Sequence, residues 1–326
     1  GSVYKSNRLA PRLGFTFDVL GDKTTVLKAH YGHFTEAMLT IYHDKMNPAA
    51  NFGDYVGYYW DLEGEEWVEM FRDVHQPYTM DPNIKHPYMA QFTVSLEREL
   101  FKDTSFSVTY IDRKWNELIG HYDTNGAYTQ ESYYSSALDQ DFTVYERTED
   151  TLGVSNYLIT NIKKSDATPN ILLDPYRKFR GLELMFNKRF SNRWQLLASY
   201  VYGKATGTID NGFADDIGYG GSIYDPNFWI NGEGTLTNDP THMLKIQGTY
   251  VLPFDINFNF YFRGITGDAW TTRVRTSRFN QGRITFFAEE RGSNHYPMAK
   301  NLDLRLEKVF TIAKKYRLGV MADVFN

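Results

Sequence analysis

Side chains able to do chemistry are plentiful in this chain, but few stand at the spacing a reaction needs. A zinc protease requires a His-Glu-x-x-His helix, and none is present. His30 and His33 stand three apart on a stretch that reads as a β-strand, so their rings project to opposite faces and cannot hold one ion together. The runs Asp123-Thr124-Asn125-Gly126 and Asp210-Asn211-Gly212 with Asp215-Asp216 offer oxygen ligands suited to calcium, without the full spacing of a calcium loop. Turn formation accounts for the same residue types. No Gly-x-Ser-x-Gly elbow or phosphate-binding glycine loop occurs. Paired carboxylates can always be drawn from 40 acidic residues, so they identify no glycosidase. The chain reads as having no catalytic residue, no metal site and no cofactor.

One cluster is better suited to binding. Tyr58, Tyr59, Trp60 and Trp67 offer flat apolar faces with polar tips, as found where sugars, peptides or proteins are held. They equally suit loops packing on one another. Among and after them stand Asp61, Glu63, Glu65, Glu66, Glu69 and Asp73, which otherwise read as a solvated loop. A short helix is expected around Glu65 to Val74.

The elements that must carry these residues are β-hairpins. In Phe179 to Gly203, Leu182, Leu184 and Phe186 alternate with Glu183, Met185 and Asn187. A turn at Ser191-Asn192 leads to Trp194, Leu196, Ala198, Tyr200 and Tyr202, which alternate with Gln195, Leu197, Ser199 and Val201. The arms are longer than the usual five or six residues of a soluble strand and match the ~9–11 needed to cross a bilayer.

Four more hairpins repeat the pattern, turning at Gly21-Asp22-Lys23, Lys102-Asp103-Thr104, Pro253-Phe254-Asp255 and Ala313-Lys314-Lys315. The first strand is expected at Leu13 to Leu20 and the last at Leu318 to Val324. Long polar stretches separate the hairpins, at about Met38–Pro87, Asn116–Pro175, Thr206–Thr241 and Thr266–Lys300. Some should hold extra β-structure, as at Phe142–Arg147 and Arg283–Ala288. Strict alternation of short turns and long loops puts every long loop on one rim, the organisation of an outer-membrane barrel. No amphipathic helix is available to cover the apolar faces in water, whereas lipid covers them.

Composition agrees with that reading. Hydrophobic residues make up 42% of 326, mean hydropathy is −0.49, and no apolar run is long enough for a membrane helix. Aromatic content of 16% suits the girdles of a barrel. A net charge of −5 gives no basic surface for nucleic acid, and the absence of cysteine excludes disulfides. The start Gly-Ser-Val, without Met, reads as that of a fragment or mature segment.

Several segments resemble the barrel of TonB-dependent outer-membrane receptors, in the subfamily that carries a carboxypeptidase-regulatory-like domain. They include Ala10-Pro11-Arg12-Leu13-Gly14-Phe15, Tyr31-Gly32-His33-Phe34, Gly181-Leu182-Glu183-Leu184 and Asp225-Pro226-Asn227. Later come Asn238-Asp239-Pro240-Thr241-His242 with Lys245, Arg291-Gly292-Ser293, Asn301 to Lys308, and Asp323-Val324-Phe325-Asn326. The resemblance implies an all-β, antiparallel meander of about ten long strands, an open part of a barrel of 22, at about strands 12 to 21. Residues 1–326 would form this single domain, with the plug domain and the closing strand outside it. It also implies ligand capture by the outer loops and TonB-dependent import; the sequence leaves two alternatives, a plugless outer-membrane pore and a secreted carbohydrate-binding β-protein. Expected partners are outer-membrane lipid, the receptor's own plug, the TonB complex and a surface lipoprotein. Lys28, Glu183, Arg263, Asp303, Arg305 and Glu307 are the expected lumen wall facing the plug.

Overall fold

The computed structural model describes residues 8–36, 46–47, 55–73, 77–164, 171–209, 225–237 and 239–326, with backbone alone at 55 and 71–73. Ten long strands form one antiparallel sheet in chain order. They are β1 (Arg12–Asp18), β2 (Thr25–Thr35), β3 (Tyr88–Phe101), β4 (Thr104–Asn116), β5 (Arg177–Ser191), β6 (Trp194–Gly207), β7 (His242–Leu252), β8 (Ile256–Ile265), β9 (Ala299–Ile312) and β10 (Tyr316–Val324). β1 pairs with β2 and β10 with β9, but not with each other, so the sheet is open.

Residues directly opposite in a sheet share a face, so the register can be followed across the wall. Phe15 faces Ala29, Ala29 faces Val94, and Val94 faces Tyr110. Tyr110 faces Leu182, Leu182 faces Tyr202, and Tyr202 faces His242. Further along, Ile246, Phe262 and Leu302 stand in one row, and Gly248, Phe260, Leu304 and Val324 in the next. A single apolar face therefore runs from β1 to β10. Its side chains stay exposed, Phe15 by 58%, Leu182 by 38% and Leu318 by 52%, although water would charge heavily for so large a patch.

The turns differ from the sequence reading at two places. The hairpin after β5 turns at Asn192-Arg193, both with positive φ, and Ser191 pairs with Trp194. Positive φ at both central residues is the type I′ geometry that matches strand twist, and Asn tolerates it. β1 stops at Asp18 rather than Leu20, because the Asp18 carboxylate accepts hydrogen bonds from Gly21 N (3.0 Å) and Lys23 N (2.8 Å) and bends the chain. The turns between β7 and β8 and between β9 and β10 fall at Pro253–Asp255 and at 313–315.

The buried core lies outside the wall, in the long loops. Loop strands Gln140–Arg147 and Gly282–Phe287 form where extra β-structure is expected, and belong to hairpins with Tyr128–Ser135 and Arg273–Phe279. Phe142 and Val144 pack with Val274, Ile284 and Phe286. Leu118, Ile162 and Ile171 pack with Ile209 and Trp229, while Ile119 and Ile159 pack with Ile84. A parallel pairing of Tyr78–Met80 with Tyr157–Asn161 ties the first long loop to the second. The second loop is thus the hub that joins the other three.

The helix expected around Glu65 to Val74 is absent. Glu66–Asp73 is a strand paired with Tyr55–Asp61, and Val74 lies outside the described residues. Trp67 and Val68 favour extended backbone, and Trp67 lies opposite Trp60 with ring centroids 5.5 Å apart in a T-shaped contact.

Candidate functional site

The face opposite the apolar band carries the polar side chains. Thr16, Lys28, Ser95, Thr109, Glu183 and Val201 stand in one row across six strands. Glu183, Arg263, Asp303, Arg305 and Glu307 share this face with Lys28, as the register requires. Many of its groups bond to one another. Lys28 Nζ meets Glu97 Oε2 at 2.7 Å, Thr109 donates to Ser95 at 2.8 Å, and Thr249 links Gln195 (3.2 Å) to Asn259 (2.7 Å). Arg305 grips Asp323 with both Nε (2.6 Å) and Nη2 (3.0 Å), the two-pronged geometry guanidinium makes with carboxylate.

Three cavities open on this polar face. One, about 750 Å³, is lined by Asn187, Gln247, Asn259, Tyr261, Asp303, Arg305 and Glu307 among others. The others lie over Glu97, Glu99 and Ser105, and over Thr16, Lys28 and Thr93. The polar face is therefore the concave side of the sheet and the apolar face the convex side.

Two features of this wall were missed in the sequence. Lys245 lies directly opposite Arg263, and both are exposed. Like charges face to face across strands repel, and among the described residues neither has an acidic partner. The alternation of each strand signals the face of each residue, but their juxtaposition depends on register. The second feature is Phe179, whose ring covers Gly181 and Gly203, a cross-strand glycine pair where any Cβ would meet the ring.

The aromatic candidates sit on the hairpin of the first long loop. Tyr58, Tyr59, Trp60 and Trp67 are 45–65% exposed. The structure brings Tyr58, Trp60 and Trp67 to one face and sends Tyr59 to the other, since Trp60 pairs with Trp67 and Tyr59 with Val68. Leu62 and Met70 are also exposed nearby.

The remaining loop groups are occupied in holding the loops together. Asp123 is buried, and its carboxylate pairs with Arg147 Nη2 at 2.8 Å and accepts from Asn125 N and Asn156 N at 2.9 Å each. Asp210 to Asp216 lie outside the described residues. Asn227 presents its amide to the free edge of Gln140–Arg147, accepting from Tyr145 N (2.8 Å) and donating to Tyr145 O (2.7 Å). Gln281 Oε1 accepts from Arg147 N (3.0 Å) and its amide donates to Tyr145 O (2.7 Å). Burial pushes the Asp225 carboxyl above the ordinary aspartate range, against the hydrogen bonds it accepts from Asn227. The Tyr176 hydroxyl is pushed up to about 12 by burial and by its 2.7 Å hydrogen bond to Glu233. Arg291, buried, donates to Thr208 O at 2.7 Å. Gly292 follows it at φ +67°, where a Cβ would strike the Thr235 carbonyl.

Residues 2–271 match the outer membrane beta barrel domain family. The chain belongs to that family. It is similar in fold to the outer membrane transporter YddB from Escherichia coli, with a TM-score of 0.53 and 12% identity over 97% of this chain and 36% of that one. The siderophore receptor PirA from Acinetobacter baumannii aligns at TM-score 0.46 and 11% identity, over 96% of this chain and 36% of that one. The ferripyoverdine receptor of Pseudomonas aeruginosa aligns at 0.46 and 10%, over 99% and 29%. No curated protein matches the chain. The chain spans about a third of the length of the solved structures it resembles. As an outer membrane barrel domain it lies in the outer membrane of a Gram-negative cell, with lipid against the convex apolar face.

Proposed function

We propose that the chain is part of the barrel wall of a TonB-dependent receptor, which captures a ligand with its outer loops and imports it past a plug. The observation that carries this reading is the unmatched Lys245–Arg263 pair on a concave polar wall. Cations opposed in this way call for an anionic surface brought against them, and a plug inside the barrel supplies one. Glu183, Asp303, Arg305, Glu307 and Lys28 would meet the same plug or its water. The wall would correspond to about strands 12 to 21 of the 22 in the receptors it resembles. Tyr58, Trp60 and Trp67 would form the first contact with ligand, Tyr59 standing behind them. A surface lipoprotein is a fitting partner for the loop cap.

The test compares medium depletion by the parent bacterium, a strain lacking the full receptor and a strain lacking TonB. A compound left behind by both mutants identifies the cargo and the energy source together. A compound lost with the receptor but taken up normally without TonB would make the protein a passive pore. In a receptor with Tyr58, Trp60 and Trp67 replaced by Ala, uptake at low concentration should fall about ten-fold or more, as expected for losing aromatic contacts worth ~1.4 kcal/mol.

A further inference from the structure

The apolar band on the convex face gives way to cations at the long-loop rim. Tyr110, Leu182, Tyr202 and His242 stand side by side there in one register row. One row nearer the loops stand Asp112, Arg180 and Lys204, and one row beyond them Lys114 and Lys178. Lys204 is directly opposite Arg180, and Lys178 directly opposite Lys114. Arg180 Nε reaches Asp112 Oδ2 at 3.0 Å, which offsets one charge. Lys178 leans on the Tyr176 ring at 5.0 Å. Among the described residues Lys114, Lys178 and Lys204 form no ion pair, and all three are exposed.

Chance composition does not account for this, since the chain carries net charge −5. Opposed cations on adjacent strands destabilise a sheet unless an anion bridges them. Their position decides which anion. They share the lipid-facing side with the apolar band, so nothing inside the lumen reaches them. They stand just past a belt of Tyr and His, the depth at which headgroups begin. The long-loop rim of an outer membrane barrel faces the outside, so these headgroups belong to the outer leaflet.

We propose that Lys114, Lys178, Arg180 and Lys204 form a binding site for the phosphate groups of a phosphorylated glycolipid of the outer leaflet. Lysines supply point charges, and Arg180 adds donors to the phosphate oxygens. The site would fix the barrel's height in the membrane and bind one lipid for long periods.

The experiment uses the full receptor purified from outer membranes, with co-purifying glycolipid measured by mass spectrometry. Wild type should retain the lipid, and the variant K114Q/K178Q/R180Q/K204Q should lose it by about ten-fold or more, equivalent to ~1.4 kcal/mol. A charge-matched control at the short turns, K23Q/K102Q/K314Q/K315Q, should retain it. The variant K114R/K178R/K204R should also retain it, which separates charge from folding. Delipidated wild type should gain thermal stability from bisphosphorylated lipid A and none from its dephosphorylated form or from inorganic phosphate. Equal retention by the Gln patch variant and wild type would overturn the proposal. So would equal stabilisation by dephosphorylated lipid, a shift reproduced by inorganic phosphate, or unchanged lipid with loss of a protein partner.

Discussion

Asn259 and Phe260 are neighbours on β8 that meet different solvents. Asn259 takes a hydrogen bond from Thr249 on the concave face, while Phe260 stands between Gly248 and Leu304 on the convex one. Arg at Phe260 should destabilise the receptor by ~2–4 kcal/mol near the midplane, and Arg at Asn259 far less. Urea unfolding in lipid vesicles measures both, and equal losses would reverse the assignment of faces. Asp225 behaves differently again. Burial raises its folded pKa, so the stability it lends the loops is full below the ordinary carboxylate pKa and is lost as pH rises through the raised value. Amide exchange at Tyr145 should therefore quicken, beyond its intrinsic change, as pH rises from the ordinary carboxylate range through the raised value. In Asp225→Asn that added pH dependence should vanish.

The loop strand Gln140–Arg147 is held at its free edge by side-chain amides rather than by another strand. Replacing Asn227 by Ala leaves the half-buried Tyr145 N–H without its acceptor, while Gln281 still donates to Tyr145 O, and an orphaned group of this kind costs about 1–3 kcal/mol. Limited proteolysis should then cut the second and third loops sooner while the wall strands stay protected. The wall strands themselves were legible, because alternation with period two and Gly, Asp and Asn at the turns are local signals. Phe142 and Ile284 were legible as extra β-structure for the same reason. The hairpin at Glu66–Asp73 was not, since its run of carboxylates resembles a helix face and the deciding contact, Trp60 with Trp67, spans the turn. The parallel pairing of Tyr78 with Tyr157 joins residues 79 positions apart and leaves no local trace.

At the scale of the whole sheet, β1 and β10 each keep one edge without a partner among the described residues. Unsatisfied backbone groups in hydrocarbon cost several kcal/mol each. The 326 residues alone should therefore fail to refold into vesicles as a compact, heat-modifiable band, and should aggregate by edge pairing. A compact monomeric band would mean that the sheet closes on itself. The apolar face as a whole was readable from sequence. The opposition of Lys245 to Arg263, and of Lys178 to Lys114, was not, because a one-residue slip between strands would have separated them.

The shared core of the loops also sets an order of events. Ile84, Phe142, Trp229 and Phe286 come from four different loops, and the clusters they belong to meet in the second. Each loop must be delivered across the membrane with the hairpins that flank it. The clusters around Ile84 and Trp229 need only the first three loops, whereas Phe142 and Val144 must wait for the fourth to bring Val274, Ile284 and Phe286. Assembly therefore has a late step on the cell surface, and until then Phe142 and Val144 lack the partners that bury them.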